Sequence, residues 1–286
     1  LLELENYFHE IWVPIEHLRD VWPGDKSRVR VVPEGVRTDN PFPGTRVPAS
    51  REMFTAVTIG KLEKRKGHYE LFEALTTTNK PIFLEAFIYN PFLRLSYKSF
   101  CEHIGSLLNR RYGYQPSDDN IFYHPISNSK IRLHPPEQWQ SSLYEKVLSL
   151  NPDIAIFPTY VEGWGLSILE CMAYGIPTLT TNAPGPSTYY ADYLYELNEA
   201  GANLEPVWNI FNLDIVEKPD DIFFKNMDGL WSPTDRHYIN YSMNRALDHR
   251  IDMANSWGCY AKAGQVLVNK YSWEESYNKV CKTLLS

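Results

Sequence analysis

The chain has 286 residues, 43% of them hydrophobic, which allows one large domain or two small ones with a real core. Its formal net charge of −7 excludes a general binder of nucleic acid or anionic membrane, because a polyanion needs a net basic surface. No apolar run reaches the roughly 20 residues of a transmembrane helix and no signal peptide is recognisable, so a cytoplasmic location is expected.

In chain order, short apolar runs bounded by turn residues predict strands at 10–13, 29–32, 54–59, 82–88, 121–123, 131–133, 153–157 and 178–181. Helical period lies between several of them. Tyr69, Leu71, Phe72 and Leu75 share one face; Leu95, Ile104, Leu107 and Leu108 share a second; Leu143, Val147 and Leu150 share a third. Strands alternating with helices predict an α/β fold class with a mostly parallel sheet. The stretch 184–233, rich in Tyr, Asn, Pro and Asp, shows little period and is expected to be irregular. Ile239, Met243, Ala246, Leu247 and Ile251 then predict one helix, and Trp273, Tyr277, Val280, Cys281 and Leu284 a last one. The four cysteines, Cys101, Cys171, Cys259 and Cys281, are widely spaced without a C-x-x-C pair, so reduced buried thiols and no metal site are expected.

The chemistry concentrates after the strand at 153–157. A loop, Val161-Glu162-Gly163-Trp164-Gly165, leads into a helix whose apolar arc is Leu166, Ile168, Leu169, Met172 and Ala173. Gly175 suits a left-handed helix end and Pro177 blocks continuation. In an open parallel sheet such a loop lies at the carboxyl ends of the strands, where ligands bind. The N–H groups of Gly165, Leu166 and Ser167 at a positive helix end suit a phosphate. Gly163 and Gly165 permit close backbone approach. Glu170 borders the apolar arc and is placed to accept two hydrogen bonds from a vicinal diol such as a ribose.

The run Glu162-Gly-Trp-Gly-Leu-Ser-Ile-Leu-Glu170, with Ala173, Gly175 and Pro177 behind it, resembles the E-x7-E signature of retaining GT-B glycosyltransferases of family 4. The resemblance implies a Rossmann-like parallel sheet with flanking helices, the C-terminal half of a GT-B fold. It also implies an NDP-sugar donor and no required metal or cofactor. By the same resemblance, Glu162 approaches the donor sugar hydroxyls as the catalytic-site carboxylate. Glu170 binds the ribose, and the amides of Gly163, Trp164, Gly165 and Leu166 bind the diphosphate. Gly60-Lys61-Leu62 with Lys66-Gly67 resembles the family's G-R-L…K-G element, which gives Lys61 and Lys66 the donor phosphates. Glu10–Pro14 and Val29–Val36 resemble the domain crossover and first strand of the donor domain, and 271–273 the start of the closing helix.

Neighbouring classes lack their motifs. Gly163-Trp-Gly165 has Ile168 where a dinucleotide fingerprint needs its third glycine, and no G-x-x-x-x-G-K-[ST] or Asp-x-Asp occurs. His68, His124 and His134 are isolated and expected to be structural. The motifs begin at the crossover and the first residue is Leu1. Residues 1–20 are therefore expected to be the tail of a missing N-terminal acceptor domain, 21–270 the nucleotide-sugar domain and 271–286 the closing helix. Ile11, Trp12 and Trp273 should then be exposed. A non-catalytic nucleotide-sugar module and a GT-B-type epimerase are the alternatives.

Overall fold

A computed structural model describes residues 7–37, 53–118, 120–136, 143–202 and 236–285. Two short parallel strands come first: β1 (Ile11–Val13) and β2 (Val29–Val31), joined through helix α1 (Glu16–Asp20). The main sheet follows. β3 (Phe54–Lys61), α2 (His68–Ala74), β4 (Ile82–Tyr89) and α3 (Tyr97–Tyr112) lead into β5 (Gln115–Asp118), β6 (Ile121–Tyr123) and β7 (Lys130–Leu133). Then α4 (Leu143–Ser149), β8 (Ile154–Phe157), α5 (Leu166–Ala173), β9 (Thr178–Thr180) and α6 (Pro184–Glu199) complete it. α7 (Arg236–Asp248), α8 (Arg250–Asn255), α9 (Trp257–Lys270) and α10 (Trp273–Leu285) close the described chain.

The seven described strands of this sheet run in the order β5-β6-β7-β4-β3-β8-β9. β7, β4, β3, β8 and β9 pair in parallel, while β6 joins antiparallel to β7 and β5 antiparallel to β6. The central strands are buried on both faces, as expected where helices cover a parallel sheet. Alternation sorts their side chains into two cores. Phe54, Ala56, Leu84, Ala86, Ile154 and Ile156 point to one face, packed under Phe72, Ile104, Met243 and Leu247. Val57, Ile59, Phe87, Ala155 and Phe157 point to the other, under Val147, Leu169, Tyr193 and Leu267.

The α/β expectation holds, with corrections at particular elements. Residues 184–199 are helical: Pro184 at the first helical position tolerates its missing N–H, and Tyr189, Tyr190, Tyr193 and Leu197 form a buried face. The part of that expectation at 203–233 lies outside the described residues. The helix expected through Ile251 breaks at His249, which turns Ile251 outward to 75% exposure. Strand β5 was not expected; its four residues are all exposed and carry no apolar alternation. None of the four cysteines is joined in a disulfide, and Cys259 and Cys281 are only half-buried. The three histidines are structural, as expected: His68, His124 and His134 are buried, and His134 hydrogen-bonds Glu85 at 2.8 Å and stacks on Phe87.

Two close backbone approaches set the frame. A Cβ on Gly35 would lie 2.2 Å from the Trp273 nitrogen, and Val36 bridges Ser272 in parallel, so the segment after β2 is laid against the start of α10. A Cβ on Gly264 would lie 2.3 Å from the Met172 carbonyl oxygen, so α9 crosses the carboxyl end of α5 at backbone contact. Trp12 is 44% and Trp273 50% exposed, as expected, while Ile11 is half-buried.

Candidate functional site

At the carboxyl ends of β3 and β8 a cavity of about 340 Å³ opens. Ile59 and Phe157 from those strands line it, with Lys66 from the loop after β3 and residues 162–168 from the β8–α5 turn. Pro14 and Glu34, which follow β1 and β2, complete the lining.

The turn is held from behind by α6. Gly165 is left-handed at φ 89°, a conformation glycine enters without a Cβ penalty. The Tyr189 hydroxyl donates to the carbonyls of Trp164 at 3.0 Å and Gly165 at 3.1 Å, and the Gly185 N–H donates to the Glu162 carbonyl at 3.1 Å. The Trp164 indole is buried edge-on against Tyr189 and Tyr271, so the ring anchors the loop. The N–H groups that open α5, on Leu166 and Ser167, have no intrahelical partner and belong to residues of the cavity lining. A fixed, positively polarised helix end therefore faces a polar cavity.

Opposite it, Glu162 carries its charge beside two cations. Its Oε2 accepts from Lys66 Nζ in a short contact and from Arg65 Nη1 at 3.4 Å. Burial pushes the Glu162 carboxyl up, but Lys66 and then Arg65 outweigh it and hold the group below the ordinary glutamate range. Glu34 behaves oppositely: burial raises its pKa and the negative Glu162 raises it further. Two carboxylates at one cavity are thus pushed apart in acidity, with Glu162 the one that stays ionised.

The other expected residues are placed unequally. Lys66, Glu162 and Gly163 to Leu166 come together around the cavity. Lys61 stands apart from that lining: its side chain is 47% exposed, lies 3.5 Å from Glu63 and sits over the Phe92 ring. Glu170 is half-buried one helical turn farther on, where its carboxylate accepts from the Tyr144 hydroxyl and Tyr144 stacks on Tyr174. Burial lifts the Glu170 pKa, against the Tyr144 hydrogen bond. His68 is buried behind the loop; burial, with Lys66 nearby, pushes its imidazole down to about 3, so it is neutral at physiological pH.

Sequence reasoning did not single out Arg65, Glu34 or Tyr144. Arg65 lay within the basic run 61–66, but only the 3-10 turn Lys64–Lys66, ended by left-handed Gly67, decides which cations reach Glu162.

Residues 138–201 match the family model described as Glycosyl transferases group 1. Among curated proteins, glycogen [starch] synthase isoform 2 of Saccharomyces cerevisiae is 43% identical over 87 residues, covering 28% of this chain and 12% of the yeast protein. The Neurospora crassa glycogen [starch] synthase is 32% identical over 88 residues, with the same coverage. Among solved structures, Anabaena HepE in complex with UDP and glucose aligns with 99% of this chain and 65% of its own, at TM-score 0.61 and 14% identity. Sucrose-phosphate synthase of Thermosynechococcus elongatus aligns with 99% of this chain and 61% of its own, at TM-score 0.60 and 15% identity. The chain thus spans about two thirds of these structural neighbours and a small part of the curated relatives it matches. The fold is that of GT-B glycosyltransferases.

Proposed function

We propose, from the premise that residues 138–201 are a group 1 glycosyltransferase segment on a GT-B-type sheet, that this chain is the donor-binding half of a retaining hexosyltransferase. The donor is an NDP-sugar. The observation that carries this reading is the cavity itself, where a carboxylate paired with two cations faces the amino end of α5 across about 340 Å³. The similarity of HepE, solved with UDP and glucose, supports it.

The chemical task is to stabilise a departing diphosphate. Lys66 and the amides of residues 163–166 supply fixed positive potential there, with no step that calls for a metal or cofactor. Lys61, on a flexible four-carbon stem at the end of β3, adds charge from the rim once a diphosphate is bound. Glu162 accepts hydrogen bonds from the sugar hydroxyls, and Glu170 accepts from the ribose. The acceptor is supplied by an N-terminal domain, to which residues 1–20 belong as a tail, while 21–270 form the donor domain and 271–286 the closing helix. Exposed Trp12, Trp273 and Tyr277 support such a partner face. The reaction takes place in the cytoplasm; no described helix is long and apolar enough to cross a membrane.

A thermal-shift panel of UDP-, GDP-, ADP- and TDP-sugars tests the reading, since a ligand bound only by the folded state must raise Tm. One nucleotide sugar should stand out, and its effect should vanish in Lys66→Met. A flat panel at millimolar ligand would overturn the donor assignment.

A further inference from the structure

The two cations on Glu162 are held in different ways. Arg65 is knitted into the loop that carries the carboxylate. Its Nε donates to Glu63 at 2.8 Å and its Nη1 to the Val161 carbonyl at 3.4 Å. Its own carbonyl accepts from the Tyr160 N–H at 2.8 Å and from the Thr159 hydroxyl at 3.1 Å. Independently of Glu162, the guanidinium is therefore held between Glu63 and Val161, and the Arg65 backbone is tied to residues 159 and 160. The Lys66 side chain has no such tether among the described residues. Its ammonium is bonded to Glu162, and its stem passes Gly60, where a Cβ would come 4.0 Å from Lys66 Cε. Lys66 lines the cavity beside the open amides of α5, whereas Arg65 lies behind Glu162 and outside the lining.

We infer that Arg65 is a positioning residue, the permanent counter-ion of Glu162, and that Lys66 is an exchangeable one which leaves the carboxylate for an incoming diphosphate. The inference rests on the donor-site reading above. A diphosphate carries more charge than a carboxylate and, seated at the α5 amides, competes for the same flexible ammonium. Once Lys66 has crossed, Glu162 is left facing Arg65, with Glu63 beside Arg65, Glu34 across the cavity and the Tyr189 phenol behind the loop. Arg65 alone then keeps the carboxylate ionised and aimed, so that it is free on its other side to accept from a sugar hydroxyl. Phosphate recognition and sugar recognition are thereby coupled through one shared lysine. With the cavity empty, the Lys66–Glu162 pair keeps each group from standing as a half-buried lone charge.

The test is isothermal calorimetry with inorganic pyrophosphate and with the nucleotide sugar selected by the thermal-shift panel. In Glu162→Gln, Lys66 no longer has a competing carboxylate, so pyrophosphate should bind about 3–10-fold more tightly at pH 7. The nucleotide sugar should gain less than pyrophosphate does. In Arg65→Gln, departure of Lys66 strips Glu162 of its last cation. Pyrophosphate binding near pH 6 should then take up more protons, or release fewer, than in the wild-type protein, read from two buffers of different ionisation enthalpy, and Arg65→Lys should abolish that difference. A merely structural Arg65 would lower Tm and leave the proton linkage at the wild-type value. Equal or weaker pyrophosphate binding by Glu162→Gln, with the wild-type protein binding normally, overturns the exchange. Failure of the wild-type protein to bind either ligand instead overturns the donor reading and this inference with it.

Discussion

Replacing Gly185 by Ala should disable the cavity from behind. Gly185 sits in the first turn of α6 against the loop that carries Glu162. A Cβ there would lie 2.7 Å from the Trp164 nitrogen and 2.8 Å from both the Glu162 carbonyl oxygen and the Gly163 carbonyl carbon. All three are backbone atoms, so no side chain can swing away to relieve the overlap. Either α6 or the loop must withdraw by several tenths of an ångström, which also stretches the 3.1 Å hydrogen bond from Gly185 N–H to Glu162. Overpacking of this kind costs about 1–3 kcal/mol. At roughly 2–4 °C per kcal/mol for a chain of this size, Tm should fall by about 2–12 °C. The displaced backbone is that of Glu162 to Trp164, so nucleotide-sugar affinity should fall as well. Differential scanning fluorimetry and calorimetry on the same preparation measure both. Gly258→Ala is the control, because nothing lies within 4 Å of its added Cβ in the first turn of α9, and stability should hold or rise slightly. If Gly185→Ala melts with the wild-type protein and binds the same ligand equally well, the loop is not positioned by α6.

Other perturbations have defined outcomes. Glu170→Ala should weaken nucleoside diphosphate binding by about 1–3 kcal/mol through the lost ribose hydrogen bonds, and unchanged affinity in calorimetry would remove that residue from the site. Burial raises the Glu170 pKa, so its accepting form is depleted first on acidification. Nucleotide affinity should begin to fall at a pH above the ordinary glutamate value of 4.5, and a flat profile down to 4.5 would contradict the assignment. Glu162 works in the opposite sense for stability. Its folded pKa is depressed, so its contribution is present above 4.5 and is lost as pH falls through the lower folded value; Glu162→Gln should flatten that part of the stability–pH curve. Arg250 grips Asp153 at 3.0 and 3.1 Å, and Asp153 in turn accepts from the Thr55 N–H. Arg250→Ala should cost about 1.5–3 kcal/mol in urea denaturation without changing ligand affinity.

The legible parts of the fold were those where burial writes a pattern. The continuous apolar run Ile154–Phe157 announced a central parallel strand because both faces are covered. β5 wrote none, since all of its residues face water and it is held through antiparallel pairing with β6. α6 did carry a helical period, but in tyrosines, behind two prolines that read as loop punctuation. At the site, the glycines and Glu162 were visible because a strand-to-helix turn compresses them into one short run. Glu34 and Tyr144 were not, because only the closing of the sheet brings the segment after β2 and helix α4 to α5. The resemblance picked Lys61 and Lys66 out of the basic run; the structure sets Arg65 and Lys66 on Glu162 and leaves Lys61 at the rim.

The crossing at Gly264 gives the amide cradle an end-stop. α5 is eight residues long, about 12 Å at 1.5 Å per residue, and its last carbonyls abut the α9 backbone. A helix so short is a rigid strut: its far end cannot rise without its near end tilting or sliding toward the cavity. The reach of the amides is therefore gauged from the opposite side of the domain. A single methyl group at position 264 would be felt as a change in anion affinity by a ligand that never comes near it.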